Sequence, residues 1–193
     1  MTALTYFAYG SNLLSERLRR RVPSARALGP ARLTGFRLRF NLRGGDDSAK
    51  CNIEPQPGGA VWGVAWSLPA AERVYLDAAE SLGEAYALQT VTLDLAGHGR
   101  EAFTYVGLPE QLGAEYPPYA WYKAFVLAGA HEHALPDAYL AGLARVRAAA
   151  DRDTTRRALN RDIVRAALAA LDDGARRAAV AEAVAELVGP LRV

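Results

Sequence analysis

One cysteine in 193 residues removes two classes of architecture at once. Cys51 has no partner within the chain, so an intramolecular disulfide framework and a cysteine-based zinc cluster are both excluded. A reducing, cytoplasmic setting is the natural expectation. No residue beside Cys51 suggests thiolate activation, and it reads as inert. No apolar run is long enough to cross a bilayer, and the N-terminus lacks the basic start and cleavage site of a signal peptide. No membrane partner is therefore expected. Histidine is scarce as well, with three in the chain. His131 and His133, flanking Glu132, lack a third ligand at a metal-binding spacing, which argues against a metal.

Hydrophobic residues make up 51% of the chain, enough for one sizeable core. The net charge of +2 hides an asymmetry: residues 1–50 carry +7, residues 51–117 carry −7 and residues 118–193 carry +2. A basic N-terminal third raises the question of nucleic acid. Arg17, Arg19, Arg20 and Arg21, however, share one short helical stretch with Leu14 and Leu18, which reads as a solvated outer face. Arg37 and Arg39 alternate with Phe36, Leu38 and Phe40 as in a half-exposed strand. Elsewhere, aromatic residues are not interleaved with the arginines as a base-stacking platform requires, so no nucleic-acid partner is expected.

Strand-like runs fall at Thr5–Tyr9, Leu33–Leu42, Ala60–Ser67, Ala87–Leu95 and Glu101–Val106, with Gly97-His98-Gly99 a hairpin tip between the last two. Helical patterns fall at Leu13–Arg21, Pro69–Ala79, Tyr119–Leu127 and Asp137–Ala149. Gly44-Gly45-Asp46-Asp47-Ser48 and Pro55-Gln56-Pro57-Gly58-Gly59 read as polar surface turns. This order does not suggest a doubly wound protein. It predicts an α+β domain with a strongly curved or closed sheet flanked by helices.

From Asp153 the composition changes. Leu159, Ile163, Ala167 and Leu171 form one apolar stripe, and Val180, Val184 and Leu187 another. Asp153 or Thr154 is the expected N-cap and Gly174 the expected stop. The reading is a domain over residues 1–150 and a helical extension over 151–193. The extension either packs on the domain or forms the interface of a homodimer, and is expected to be dispensable for chemistry.

The most informative stretch is Tyr6-Phe7-Ala8-Tyr9-Gly10-Ser11-Asn12-Leu13-Leu14. A short buried strand breaks at Gly10 and a helix follows. Glycine there permits torsions and close approaches that a Cβ forbids, and Ser11 or Asn12 suits an N-cap. Free N–H groups at such a helix start form a ready anion site for a carboxylate, a phosphate or a developing oxyanion.

Tyr-Phe-Ala-Tyr-Gly-Ser-Asn-Leu resembles the signature loop of the gamma-glutamylcyclotransferase family. Other features agree with it in order. They are Pro23-Ser24-Ala25 with Ala31-Arg32-Leu33-Thr34-Gly35-Phe36, then Val61-Trp62-Gly63-Val64-Ala65-Trp66, then Leu76-Asp77-Ala78-Ala79-Glu80. Tyr122-Lys123 and the turn Gly129-Ala130-His131-Glu132-His133-Ala134-Leu135-Pro136 follow. The resemblance spans roughly Tyr6 to Arg147. It implies a small mixed β-barrel with peripheral helices and a gamma-glutamyl substrate, a small molecule whose own amine closes on its γ-carbonyl to give 5-oxoproline. It implies no cofactor.

By the same resemblance Glu80 is the proton shuttle, and Val74, Tyr75, Leu76, Ala78 and Ala79 are neighbours that would bury it and raise its pKa. The family commonly has glycine directly after this glutamate, whereas Ser81-Leu82 intervene here before Gly83; Glu84 and Asp77 remain lesser candidates. The substrate loop maps onto Tyr6, Phe7, Ala8, Tyr9, Gly10 and Ser11. Backbone N–H groups around Gly10 and Ser11 would hold the glutamyl carboxylate or the oxyanion, and Tyr9, Tyr86, Tyr105 and Tyr122 would line the pocket. Asn12 departs from the leucine typical of the glutathione-specific branch. Two other readings stay open: a relative acting on gamma-glutamyl amines or a gamma-glutamyl-protected biosynthetic intermediate, and a non-catalytic ligand-binding module.

Overall fold

The computed structural model describes residues 2–189; the last four residues of the C-terminal extension, 190–193, lie outside them. Five strands close into a barrel in the order β1-β3-β2-β4-β5, with β1 Ala3–Ala8, β2 Arg26–Arg43, β3 Ala49–Pro69, β4 Tyr86–Leu95 and β5 His98–Gly107. β1 runs antiparallel to β3 and meets β5 in parallel at Tyr6 and Phe103, which makes the barrel mixed. Closure covers both edges of β1 within the barrel. It also explains how a short strand such as β1 can be so apolar, for Phe7 and Ala8 are fully enclosed.

Among the described residues six α-helices surround the barrel: α1 Ser15–Arg19, α2 Arg73–Ala79, α3 Ala120–Glu132, α4 Asp137–Ala144, α5 Thr154–Ala169 and α6 Gly174–Val188. α3 is buried on every side from Trp121 to Ala130, as a helix enclosed by other elements must be. The segment expected to be a turn from Gly129 therefore continues this helix to Glu132. Apolar residues before the histidines outweigh the polar look of the sequence.

Several boundaries differ from expectation. β3 begins at Ala49 and runs through the proline-glycine segment, which forms an exposed bulge where pairing jumps from Thr34–Ala60 to Phe36–Pro55. The first helix is split, with a 3-10 turn at Ser11–Leu13 and α1 separated by an extended Leu14. No side chain caps either piece, so neither Ser11 nor Asn12 acts as an N-cap. The N–H of Ser15, at the start of α1, instead donates to Glu132 Oε2 at 3.0 Å. α4 stops at Ala144.

α5 is N-capped by Asp153, whose side chain accepts from Arg156 N, and ends at Ala169 rather than at Gly174, which starts α6. The buried face of α5 comprises Asn160, Ile163, Val164, Ala167 and Leu168. Leu159 points outward, 62% exposed, so the expected stripe is rotated. Ile163, Val164, Leu168, Val180 and Val184 join the same apolar cluster as the barrel and α3.

Candidate active site

The loop after β1, β3, the start of β4, the end of β5, the C-terminal end of α2 and α3 converge on one end of the barrel. Tyr6, Tyr9, Gly10, Ser11, Asn12, Cys51, Glu80, Tyr86, Tyr105 and Tyr122 enclose a cavity of about 20 Å³ there, room for little more than a water. Ser11, Glu80, Tyr86 and Tyr122 also wall a wider cleft of about 220 Å³, shared with Arg17, Arg21, Arg43 and Lys50.

Gly10 belongs here for its close approach. A Cβ would stand 3.1 Å from Cys51 Cβ and 3.3 Å from Tyr122 Oη. The carbonyls of Gly10 and Ser11 accept from Leu13 and Leu14, while the N–H groups of Gly10 and Ser11 donate to no described residue. They remain available as anion donors.

The tyrosines hold this frame. Tyr9 Oη donates to the Tyr105 carbonyl at 2.5 Å. Tyr86 Oη donates to the Cys51 carbonyl at 2.9 Å, and the Cys51 N–H donates to Tyr122 Oη at 3.0 Å. β3 is thereby clamped at Cys51 from both sides. Burial pushes the phenols of Tyr6, Tyr9, Tyr86, Tyr105 and Tyr122 well above the ordinary tyrosine range, and it pushes the Cys51 thiol up to about 12. These groups are neutral at physiological pH and none is a base. Glu80 is the one carboxylate among the cavity's lining residues.

Glu80 caps the C-terminal end of α2. Its Oε1 accepts from Asn12 Nδ2 at 2.9 Å and from Arg21 Nη1 at 2.5 Å, and the side chain is only 15% exposed. The same Asn12 amide donates to Tyr6 Oη at 3.0 Å and accepts from Arg21 Nη1 at 3.0 Å. Oε2 of Glu80 accepts no hydrogen bond from a described residue, so one oxygen is anchored and the other is free. Of the neighbours expected to bury Glu80, Leu76 is buried, whereas Val74, Tyr75, Ala78 and Ala79 are exposed. Its shelter comes from the opposite side, from Tyr6, Asn12 and Arg21.

Both lesser candidates are placed by the geometry. Glu84 lies exposed in the following loop. Asp77 accepts from Tyr105 Oη at 2.6 Å and pairs with Arg73, which makes it a support for a wall tyrosine. Phe7 and Ala8 do not reach the cavity. Phe7 lies fully in the core and its carbonyl accepts from Thr104 Oγ1, and Ala8 pairs with Val64. His133 Nε2 lies 3.2 Å from Ser15 Oγ, so this histidine and Glu132 brace α1 beneath the loop.

Comparison with known proteins follows the same lines. A profile of the AIG2-like family matches residues 60–143. The human protein named Gamma-glutamylcyclotransferase is 34% identical over 142 residues, 69% of this chain and 73% of the human one. The chain belongs to the gamma-glutamylcyclotransferase family. A solved structure named Gamma-glutamyl cyclotransferase superposes with a TM-score of 0.70 at 30% identity, over 77% of this chain and 90% of the other. A human crystal structure described as an uncharacterized protein gives 0.71 at 31%, with the same coverage. The α+β barrel is thus a gamma-glutamylcyclotransferase fold.

Arg21 and Asn12 were not foreseen as site residues. A signal for Arg21 was present: Leu14, Arg17, Leu18 and Arg21 recur at three- and four-residue spacing, which puts both arginines on the buried side of a helix. Arg19 and Arg20, off that stripe, are exposed.

Proposed function

We propose that this chain is a gamma-glutamylcyclotransferase with Glu80 as its general acid and base. One observation carries the assignment of Glu80: it is the cavity's one carboxylate, fixed through Oε1 and free at Oε2. The substrate is a gamma-glutamyl amino acid or dipeptide. Its glutamyl end lies at the mouth of the small cavity, against Ser11, Glu80, Tyr86 and Tyr122, and its leaving group extends along the wider cleft. The N–H groups of Gly10 and Ser11 donate to an oxygen anion of the substrate.

The reaction needs little beyond this. Holding the glutamyl chain folded brings its α-nitrogen against the γ-carbonyl carbon, which turns ring closure into a positioned intramolecular attack. The α-nitrogen forms the lactam C–N bond and the γ-amide C–N bond breaks. Across the whole reaction the substrate ammonium gives up two protons and the departing nitrogen gains two. Glu80 Oε2 takes a proton and returns it, so the carboxylate ends as it began. The products are 5-oxoproline and a free amino acid. The lone, buried Cys51 agrees with a cytoplasmic setting.

The deciding experiment incubates the protein with a panel of gamma-glutamyl amino acids and amines and measures 5-oxoproline. Stoichiometric 5-oxoproline and free amino acid are expected. Tight binding without product would favour a ligand-binding module, and neither binding nor product would overturn the reading.

A further inference from the structure

The cleft outside Glu80 holds more positive charge than its own carboxylates match. Arg17, Arg21, Arg43 and Lys50 line it, with Glu80 the one carboxylate in that lining. Two of these cations are already paired. Arg21 binds Glu80, and Lys50 Nζ reaches both carboxylate oxygens of Asp46 at 2.8 Å. Among the described residues neither Arg17 nor Arg43 has an ion-pair partner.

Arg17 is the more telling of the two. Its guanidinium lies over the Phe125 ring, 5.0 Å from the centroid, and its Nε is buried with no hydrogen-bond partner. Burial first, then the neighbouring Arg21, lowers its pKa to about 10, which still leaves it charged at neutral pH. An unmatched, half-buried cation is costly to keep and is satisfied by an incoming anion. Arg43 is exposed, so its pull is weaker and screened by salt.

We propose that this cleft selects the leaving group by its negative charge, with Arg17 as the specificity-determining residue and Arg43 as a weaker second cation. The proposal rests on the cyclotransferase reading and deepens it. Leaving groups with two carboxylates react best, those with one follow, and uncharged amines are poor. The free carboxylate of a gamma-glutamyl amino acid meets Arg17. A second carboxylate, as in an acidic amino acid, reaches toward Arg43.

The test compares kcat/KM for gamma-glutamyl-glutamate, gamma-glutamyl-alanine and gamma-glutamyl-ethylamide by 5-oxoproline release. The alanine compound should exceed the ethylamide by about 10- to 100-fold, the worth of a hydrogen bond to a charged group. The glutamate compound should gain a few-fold more at low salt, and that second gap should close as salt rises. Arg17→Gln should collapse the first ratio, and Arg17→Lys should keep most of it. Equal kcat/KM for all three in the wild type overturns the proposal even if Arg17→Gln fails to fold. A ratio untouched in folded Arg17→Gln also overturns it. No 5-oxoproline from any of the three defeats the cyclotransferase reading itself, and this proposal with it.

Discussion

Arg21 Nη1 lies 2.5 Å from Glu80 Oε1 and 3.0 Å from Asn12 Oδ1. An arginine from the turn just after α1 therefore holds the carboxylate at the C-terminal end of α2, with Asn12 bonded to both. In the proposed mechanism Arg21 is a positioning residue that acts through Glu80. Arg21→Met should lower kcat about 10²-fold, the scale of a misplaced catalytic group, with KM changing less. Arg21→Lys should restore part of the loss. If Arg21→Met reduces only the folded fraction, with normal kcat per folded molecule, the arginine is merely structural.

Glu80→Gln preserves shape and the Arg21 contact but cannot carry the proton. Its kcat should fall about 10²- to 10⁴-fold, as expected for positioned acid–base catalysis, with substrate affinity little changed. Exposed Glu84 makes the matched control, and Glu84→Gln should be nearly silent. Wild-type turnover in Glu80→Gln would defeat the shuttle.

Gly129 lets α3 pack closely on the 3-10 turn that follows β1. A Cβ there would stand 2.4 Å from both the carbonyl carbon of Leu13 and the nitrogen of Leu14, backbone atoms that cannot rotate away. Gly129→Ala should cost about 1–3 kcal/mol of stability as an overpacked site, measured by urea unfolding, and should lower activity by displacing the loop. Gly142 in α4 has nothing within 4 Å of its would-be Cβ. Gly142→Ala should be neutral or stabilising by up to about 1 kcal/mol. Equal effects of the two substitutions would remove the steric argument.

The barrel was legible where apolar runs sit between clear breaks, as in β1, the second half of β3 and the β4–β5 hairpin. The first half of β3 was not. Lys50, Asn52 and Glu54 make it look polar, yet Asn52 is buried and its Oδ1 accepts from the Gly107 N–H at 2.9 Å. That partner is 55 residues away, and local pattern cannot supply it. The site divides in the same way. Glu80 and the loop were singled out by the family resemblance, whereas the arginine that pairs with Glu80 belongs to a cluster that reads as an ordinary solvated face.

The C-terminal helices give the clearest change of expectation. Leu168, Val180 and Val184 are buried in the common core, and α3 packs against both α5 and α6. Truncation after Ala150 would uncover α3, the helix that packs on the Ser11–Leu13 turn. Loss of soluble, folded protein is now expected, and Leu168→Ala alone should cost about 2–5 kcal/mol. A truncated chain that folds and makes 5-oxoproline would restore the view that these helices are dispensable.

Asp151 ties that extension to α3 and makes its attachment pH-dependent. Its carboxylate is 1% exposed and accepts from Arg156 Nε at 2.5 Å, Arg156 Nη2 at 2.7 Å, Trp121 Nε1 at 2.9 Å and the Asp153 N–H at 2.9 Å. The Arg156 hydrogen bonds first, then those from Asp153 and Trp121, hold its carboxyl well below the usual range. An aspartate in the unfolded chain titrates near pH 4. Because the folded value is the lower one, the stabilisation is fully present above the unfolded value. It is lost as pH falls toward the folded one, where the unfolded chain binds the extra proton. Wild-type Tm should therefore drop between pH 6 and pH 3, and Asp151→Asn should start lower and drop less. Parallel acid limbs in the two proteins would show that acid sensitivity arises at other carboxylates.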